Sequence, residues 1–213
     1  MTGLIIFIAL VVLIVAGWKI TAARTTRPYV EPAKSRLAVL PERFVVYDLE
    51  TTGLDPQTHS IIEIGAIRVN RDSDMHDSFQ TLVHPKGRIG KRITELTGIT
   101  SEMVRTEGMS LDQALSEFRD FVGDLPLVAY NADFDDAFLK AACRRTGSTD
   151  MPNEVCCALK MARRAWPSRS SYRLADIAKD GGLSDEDTHR ALGDCKRTLI
   201  VYATAAKELG THR

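Results

Sequence analysis

Three groups of side chains in this sequence have the types and spacing to do chemistry. Asp48 and Glu50 lie two apart at the end of the run FVVYDL (44–49). On a strand, a spacing of two puts both carboxylates on one face. Carboxylates held side by side repel, so a cation or a proton must neutralise them. Pairs of this kind are also common on solvated strand edges, and the pair alone decides little. A second acidic junction, LVAYNADFDDAFL (127–139), sets Asp133, Asp135 and Asp136 between a short apolar run and a helical one. Strand ends are where open α/β sheets place their sites. The third group, HRALGD (189–194), brings His189 and Asp194 to the start of the last helical stretch.

The elements that must position these groups are legible from periodicity. The run 44–49 reads as a strand closed by the turn signals Thr51-Thr52-Gly53 and Asp55-Pro56. Residues 61–69 alternate enough for a second strand and 78–83 for a third, which predicts an antiparallel meander. Ser110 and Gln113 form a capping box ahead of Leu111, Ala114, Leu115, Phe118, Phe121 and Val122 at helical spacing, ended by Gly123. A further strand is predicted over 127–130. Helices are predicted over about 134–145, 154–166, 174–179 and 190–209, the last with Leu192, Cys195, Leu199, Tyr202, Ala206 and Leu209 on its inner face. Strands first, then strand and helix in alternation, argue a mixed α/β sheet flanked by helices.

The chain has 213 residues with 28 basic and 28 acidic side chains, and 44% of it is apolar, the composition of a folded globular protein. Residues 37–213 carry 23 basic against 27 acidic side chains, a net charge of −4. A generic coater of nucleic acid would be basic, so that class is excluded. Residues 1–18 hold no charge, and at about 1.5 Å per residue they reach roughly 27 Å, near bilayer thickness. With Trp18 at the end and five bases after the run and none before it, they are expected to form an uncleaved transmembrane anchor. The positive-inside rule then places residues 19 onward on the cytoplasmic face of the inner membrane, single-pass. Residues 19–42, with Pro28, Pro32 and Pro41, read as a basic linker, and 43–213 as the folded domain. Cys143, Cys156, Cys157 and Cys195 show no metal-ligand spacing and are expected to be reduced thiols.

Asp48-x-Glu50 within VVYDLETTGLD, Asp135 within VAYNADFD, and His189-x4-Asp194 resemble the three motifs of the DnaQ-like (DEDDh) 3′–5′ exonucleases. IIEIGAI (61–67), ITELTGIT (93–100) and SYRLADIA (171–178) are similar too, so the resemblance covers about residues 44–205. It implies an RNase H-like fold with a mixed five-stranded sheet flanked by helices, and phosphodiester hydrolysis with two Mg²⁺ or Mn²⁺ ions. Hard divalent ions take oxygen ligands, and two of them can clamp the attacking and leaving oxygens of an in-line displacement. By that resemblance Asp48 bridges both ions, Glu50 and Asp194 complete the first site, Asp135 supports the second, and His189 is the general base. The pattern places the ligand at Asp135 and leaves Asp133 and Asp136 solvated. Tyr172-x3-Asp176 formally matches a tyrosine variant of the third motif, although that version would need Tyr where Arg190 stands.

The resemblance also assigns substrate contacts to Leu49, Thr51, Thr52, Gly53, Leu54, Asn131 and Phe134. Two acid-free runs supply bases: Lys86, Arg88, Lys91 and Arg92, and then Lys160, Arg163, Arg164, Arg169 and Arg173 with Trp166 and Tyr172 among them. The second mix suits either a single strand of nucleic acid or a solvated helix face. The function expected is a membrane-anchored 3′–5′ exonuclease acting on single-stranded DNA or RNA 3′ ends and releasing nucleoside 5′-monophosphates. An oligoribonuclease or a catalytically silent nucleic-acid-binding module are the alternatives. The membrane is expected as a partner through residues 1–18. A polymerase partner and a homodimer are compatible with the sequence, and neither has a feature that supports it.

Overall fold

The computed structural model describes residues 40–73, 75–182 and 189–211. Strand β1 (Arg43–Thr51) pairs antiparallel with β2 (Ile61–Asn70), and β2 with β3 (Asp77–Leu82), which is the predicted meander. Two short buried or half-buried strands, β4 (Leu127–Ala129) and β5 (Val155–Cys157), join parallel, giving one sheet in the order β3-β2-β1-β4-β5. Helices α1 (Lys91–Thr97), α2 (Ser101–Glu107) and α3 (Leu111–Val122) lie between β3 and β4. Helix α4 (Ala132–Thr146) follows β4, and α5 (Ala158–Ala165), α6 (Leu174–Asp180) and α7 (Ala191–Thr211) follow β5.

Alternation along β1 assigns the two faces of the sheet. Val45, Tyr47 and Leu49 enter one core with Leu115, Phe118 and Val122 of α3 and Phe138, Leu139 and Ala142 of α4. Phe44 and Val46 enter the other, with Ala158 of α5 and Cys195, Leu199, Tyr202, Ala203 and Ala206 of α7. Strand β2 obeys the same rule, sending Ile64 and Ala66 to the first core and Ile67 and Val69 to the second. The result is a sheet covered by helices on both sides. Burial of Leu199 and Tyr202, with Tyr202 edge-on to Phe44 at 5.4 Å, fastens α7 to the sheet. Each such side chain contributes about 1.5–3 kcal/mol. By the period of two, Asp48 and Glu50 fall on the α7 side.

Local signals explain most boundaries. Ser110 caps α3 by accepting from the Gln113 N–H, and Gly123 ends it at φ 58°. Gly147, at φ 69°, ends α4. Residues 155–157 form a strand rather than the start of the helix predicted from 154. The Asn153 side chain donates to the carbonyls of Gly123 and Leu125, both at 2.9 Å, and so leads the chain into the sheet edge. Helices α1 and α2 are seven residues each, too short for two turns of period to show.

Among the described residues no helix is long and apolar enough to cross a membrane. This corrects the fold expectation of one N-terminal transmembrane helix, and with it the single-pass inner-membrane placement. The longest described helix, α7, has 21 residues. It carries Asp194, Lys196, Arg197, Lys207 and Glu208 and packs one face on the sheet, as a globular helix does. The anchor expected over 1–18, and the linker up to residue 39, lie outside the described residues. Leu40 already packs against the second core.

Candidate active site

Three elements converge at one end of the sheet. In β1, Asp48 stands opposite Gly65 and Glu50 opposite Glu63, and the register slips between Glu50 and Thr51. An irregularity at that point turns the chain away just after the second acid. Helix α4 begins directly after β4, which runs parallel to β1, so its first turn brings Asp135 to the same end. Helix α7 lies over Asp48 and Glu50 and presents Asp194 in its first turn, with His189 just ahead of it.

The carboxylate oxygens of Asp48, Glu50 and Asp194 lie within 4.8 Å of one another. Asp135 stands outside that trio but shares a cleft of about 250 Å³ with Asp48, Asp194, His189, Asn131 and Phe134. His189 Nδ1 is 3.4 Å from Asp194 Oδ2, and its side chain is 52% exposed. On the inner side Arg197 Nη1 donates to Asp194 Oδ1 at 2.5 Å from a buried position. Asp194 is thus fixed between a buried guanidinium and an accessible imidazole.

Electrostatics mark the same residues. Burial pushes the Asp48 carboxyl well above the usual carboxylate range, and Asp135, Asp194, Glu50 and Glu63 add to it. Glu50 is pushed up to about 8 by burial and then by Asp194, Glu63 and Asp135, against a smaller opposite pull from Arg190. Asp135 rises to about 7 through burial, although the backbone N–H groups of Leu49 and Asp135 donate to it and lower it. Burial and mutual repulsion therefore favour a proton or a cation at Asp48, Glu50 and Asp135. Asp48, Glu50 and Asp194, all hard oxygen donors, fit a divalent cation such as Mg²⁺ or Mn²⁺.

The expected substrate contacts are distributed unevenly. Asn131 and Phe134 line the cleft, and Asn131 precedes α4 without capping it through its side chain. Leu54, in the loop after β1, is 83% exposed and does not line the cleft. The Thr51 hydroxyl donates to the Gly53 carbonyl at 2.7 Å, and Thr52 Oγ1 accepts from Ser60 N at 3.0 Å and meets His59 Nδ1 at 3.2 Å. These hydroxyls shape the loop 51–60, and the His59 ring packs where a Cβ on Gly53 would stand. The Leu49 side chain is buried in the first core, so only its backbone faces Asp135.

Asp133 and Asp136 are paired away with Lys160 and Lys140, at 2.8 and 2.7 Å. Asp176 accepts from the Ser171 hydroxyl, and the Tyr172 hydroxyl donates to the Trp166 carbonyl, so the Tyr172-x3-Asp176 pair serves the loop before α6. Tyr130, Arg173, Leu174 and Ala175 also line the cleft, and of these only Arg173 is named by the sequence reading, as one of the bases of the second acid-free run. The segment SYRLADIA contained the signal for three of them.

Residues 45–202 match the family described as exonuclease. The chain is 39% identical over 168 residues to the PolC-type DNA polymerase III of Clostridium perfringens, covering 79% of this chain and 11% of that protein. It therefore spans about a tenth of the length of that relative. It is 34% identical over 176 residues to the DNA polymerase III subunit epsilon of Aquifex aeolicus, covering 83% of this chain and 86% of that one. Among solved structures, zinc-bound E. coli exonuclease I in complex with single-stranded DNA is similar, with a TM-score of 0.67 and 21% identity. That match covers 82% of this chain and 41% of that one.

Proposed function

Given that the chain belongs to the DnaQ-like exonuclease family of the RNase H-like superfamily, we propose that it removes nucleotides one at a time from the 3′ ends of single-stranded DNA. The observation that carries this reading is the meeting of the Asp48, Glu50 and Asp194 carboxylates within 4.8 Å, with His189 at 3.4 Å from Asp194. The single-stranded substrate is drawn from the likeness to exonuclease I bound to such DNA, and from the aromatic Phe134 in the cleft that Asn131 also lines. A replicative polymerase is the partner class that the polymerase III relatives suggest.

In this reading Asp48, Glu50 and Asp194 hold divalent cations, Mg²⁺ or Mn²⁺, with Asp135 supporting a second one. Such ions polarise the phosphoryl oxygen and lower the pKa of water. His189 sits with Nδ1 toward Asp194 and takes a proton from the attacking water, and the Asp194 carboxylate stabilises the imidazolium that results. Attack at phosphorus breaks the P–O3′ bond. The departing O3′ takes a proton from solvent, so the shortened strand leaves with a 3′-hydroxyl and the terminal residue as a nucleoside 5′-monophosphate. Leu54 and Phe134 flank the terminal base, and Asn131 orients it.

The test uses 5′-labelled single-stranded DNA and RNA of equal sequence with Mg²⁺, Mn²⁺ or EDTA, and Asp48→Ala as control. The expected result is a metal-dependent ladder shortening from the 3′ end of DNA, absent in the variant. Intact DNA in every metal overturns the exonuclease reading, and preferential shortening of RNA overturns the substrate assignment.

A further inference from the structure

The segment IIEIGAI places an acid, Glu63, inside an otherwise apolar, buried run of β2. Glu63 is 0% exposed, lies outside the carboxylate trio, and has no part in the proposed reaction. Its oxygens accept from three groups, although Glu50 stands opposite it on β1. Arg190 Nε reaches Oε1 and Oε2 at 3.0 and 3.1 Å, and Arg190 Nη2 reaches Oε1 at 2.5 Å. The Ala191 backbone N–H donates to Oε2 at 3.0 Å, and Gln80 Nε2 of β3 donates to Oε1 at 2.9 Å. Glu63 therefore caps helix α7 from another strand, 128 residues away in sequence. It accepts one of the N–H groups that a helix start leaves without an intrahelical partner.

Two residues further along the same face, Gly65 completes the seat. A Cβ there would stand 2.6 Å from the Ala191 carbonyl carbon and the Leu192 nitrogen, so only glycine lets α7 begin this close to β2. Cys195 Sγ donates to the Gly65 carbonyl at 3.3 Å. Both the side chain of Arg190 and the amide of Ala191 are held by this seat, and His189 is the residue immediately before them. Asp194 has its own buried partner in Arg197, so the residue most dependent on the seat is His189. Buried ion pairs add little stability over an apolar replacement of the same volume. Stability alone is therefore a poor reason for a charge at this position.

We infer that Glu63 is a positioning residue for the exonuclease reaction, fixing the backbone on which His189 is presented to the cleft. The inference rests on the function proposed above, with His189 as the proton acceptor. Glu63→Gln keeps the shape but turns an amide nitrogen toward a donor, so at least one of the contacts with Arg190, Ala191 and Gln80 is lost. The expected result is a kcat lower by about 10–100-fold, the range for partners that orient reactive ligands, with KM for the oligonucleotide within about threefold. In a His189→Ala background the same change should lower kcat by less than about threefold, because the group it orients is gone. Amide hydrogen exchange at Ala191 to Asp194 should quicken in Glu63→Gln and more so in Glu63→Ala.

An equal loss of kcat in both backgrounds, or unchanged kcat with raised KM, overturns the positioning role. Unchanged exchange at those amides overturns the seat itself. The exchange measurement needs no activity, so it decides the seat even where a wild-type chain without nuclease activity has overturned the function reading and the catalytic half of this inference with it.

Discussion

Replacing Glu50 by glutamine should stabilise the metal-free protein while destroying its chemistry. Glu50 is 9% exposed, and its carboxyl is pushed from an ordinary 4.5 up to about 8. Because the folded value lies above the unfolded one, the fold disfavours the charged form. The penalty is absent below about pH 4.5, grows across the window from 4.5 to 8, and is constant above it. At pH 7 it amounts to roughly 3 kcal/mol, and at pH 5 to about 1 kcal/mol or less. In a domain of this size about 1 kcal/mol moves Tm by roughly 2–4 °C. Glutamine has the same shape and no charge, so Glu50→Gln in EDTA at pH 7 should melt roughly 6–12 °C above the wild type, and the gap should narrow sharply at pH 5. Adding Mn²⁺ at about 100 times its Kd should raise the wild type by about 2.7 kcal/mol, and the variant, short of one ligand, by less. Thermal unfolding followed by circular dichroism at pH 5, 7 and 8.5, with EDTA or Mn²⁺, measures all of this. A Tm for Glu50→Gln at or below the wild type in EDTA at pH 7, or a gap independent of pH, refutes the reasoning.

Three further outcomes are expected. His189→Ala should lower kcat by about 10²–10⁴-fold with KM little changed, and steady-state kinetics on a labelled oligonucleotide would show the split. Leu54→Ala removes a side chain that is 83% exposed. It should leave stability within about 0.5 kcal/mol and raise KM severalfold, read by melting and by kinetics on the same sample. Gly65→Ala drives a methyl group to 2.6 Å from backbone atoms of α7. It should destabilise by about 1–3 kcal/mol and depress kcat, and denaturant unfolding would measure the first effect.

The meander, the two helices flanked by clear caps and the long last helix were legible because their signals are local. Period two over 44–49 and 61–69, Ser110 with Gln113, and Gly123 and Gly147 each act within a few residues. The four acids and His189 were legible as motifs, and the resemblance grouped Asp48, Glu50 and Asp194 with Asp135 set apart; the distances within the trio are set by β1 parity and by the docking of α7. Residues 155–157 were misread because an edge strand of three residues has no period of its own and exists through pairing with β4. The role of Glu63 was invisible for a related reason: its partners Arg190 and Ala191 are distant in sequence, and only an acid in an apolar run hinted at them. The expected transmembrane anchor rested on length, apolarity, Trp18 and the bases that follow the run, and no described helix is long and apolar enough to cross a membrane.

The order in which the site's parts leave the ribosome follows from the place of α7. Asp48 and Glu50 are translated early, and Asp194 about 150 residues later, which at ~5–20 residues per second is a delay of roughly 8–30 s. Until then the growing chain has the first two carboxylates and neither the third nor the imidazole. The proposed activity is thereby deferred until α7 has emerged and has somewhere to dock. A chain stalled before that helix should leave single-stranded DNA intact.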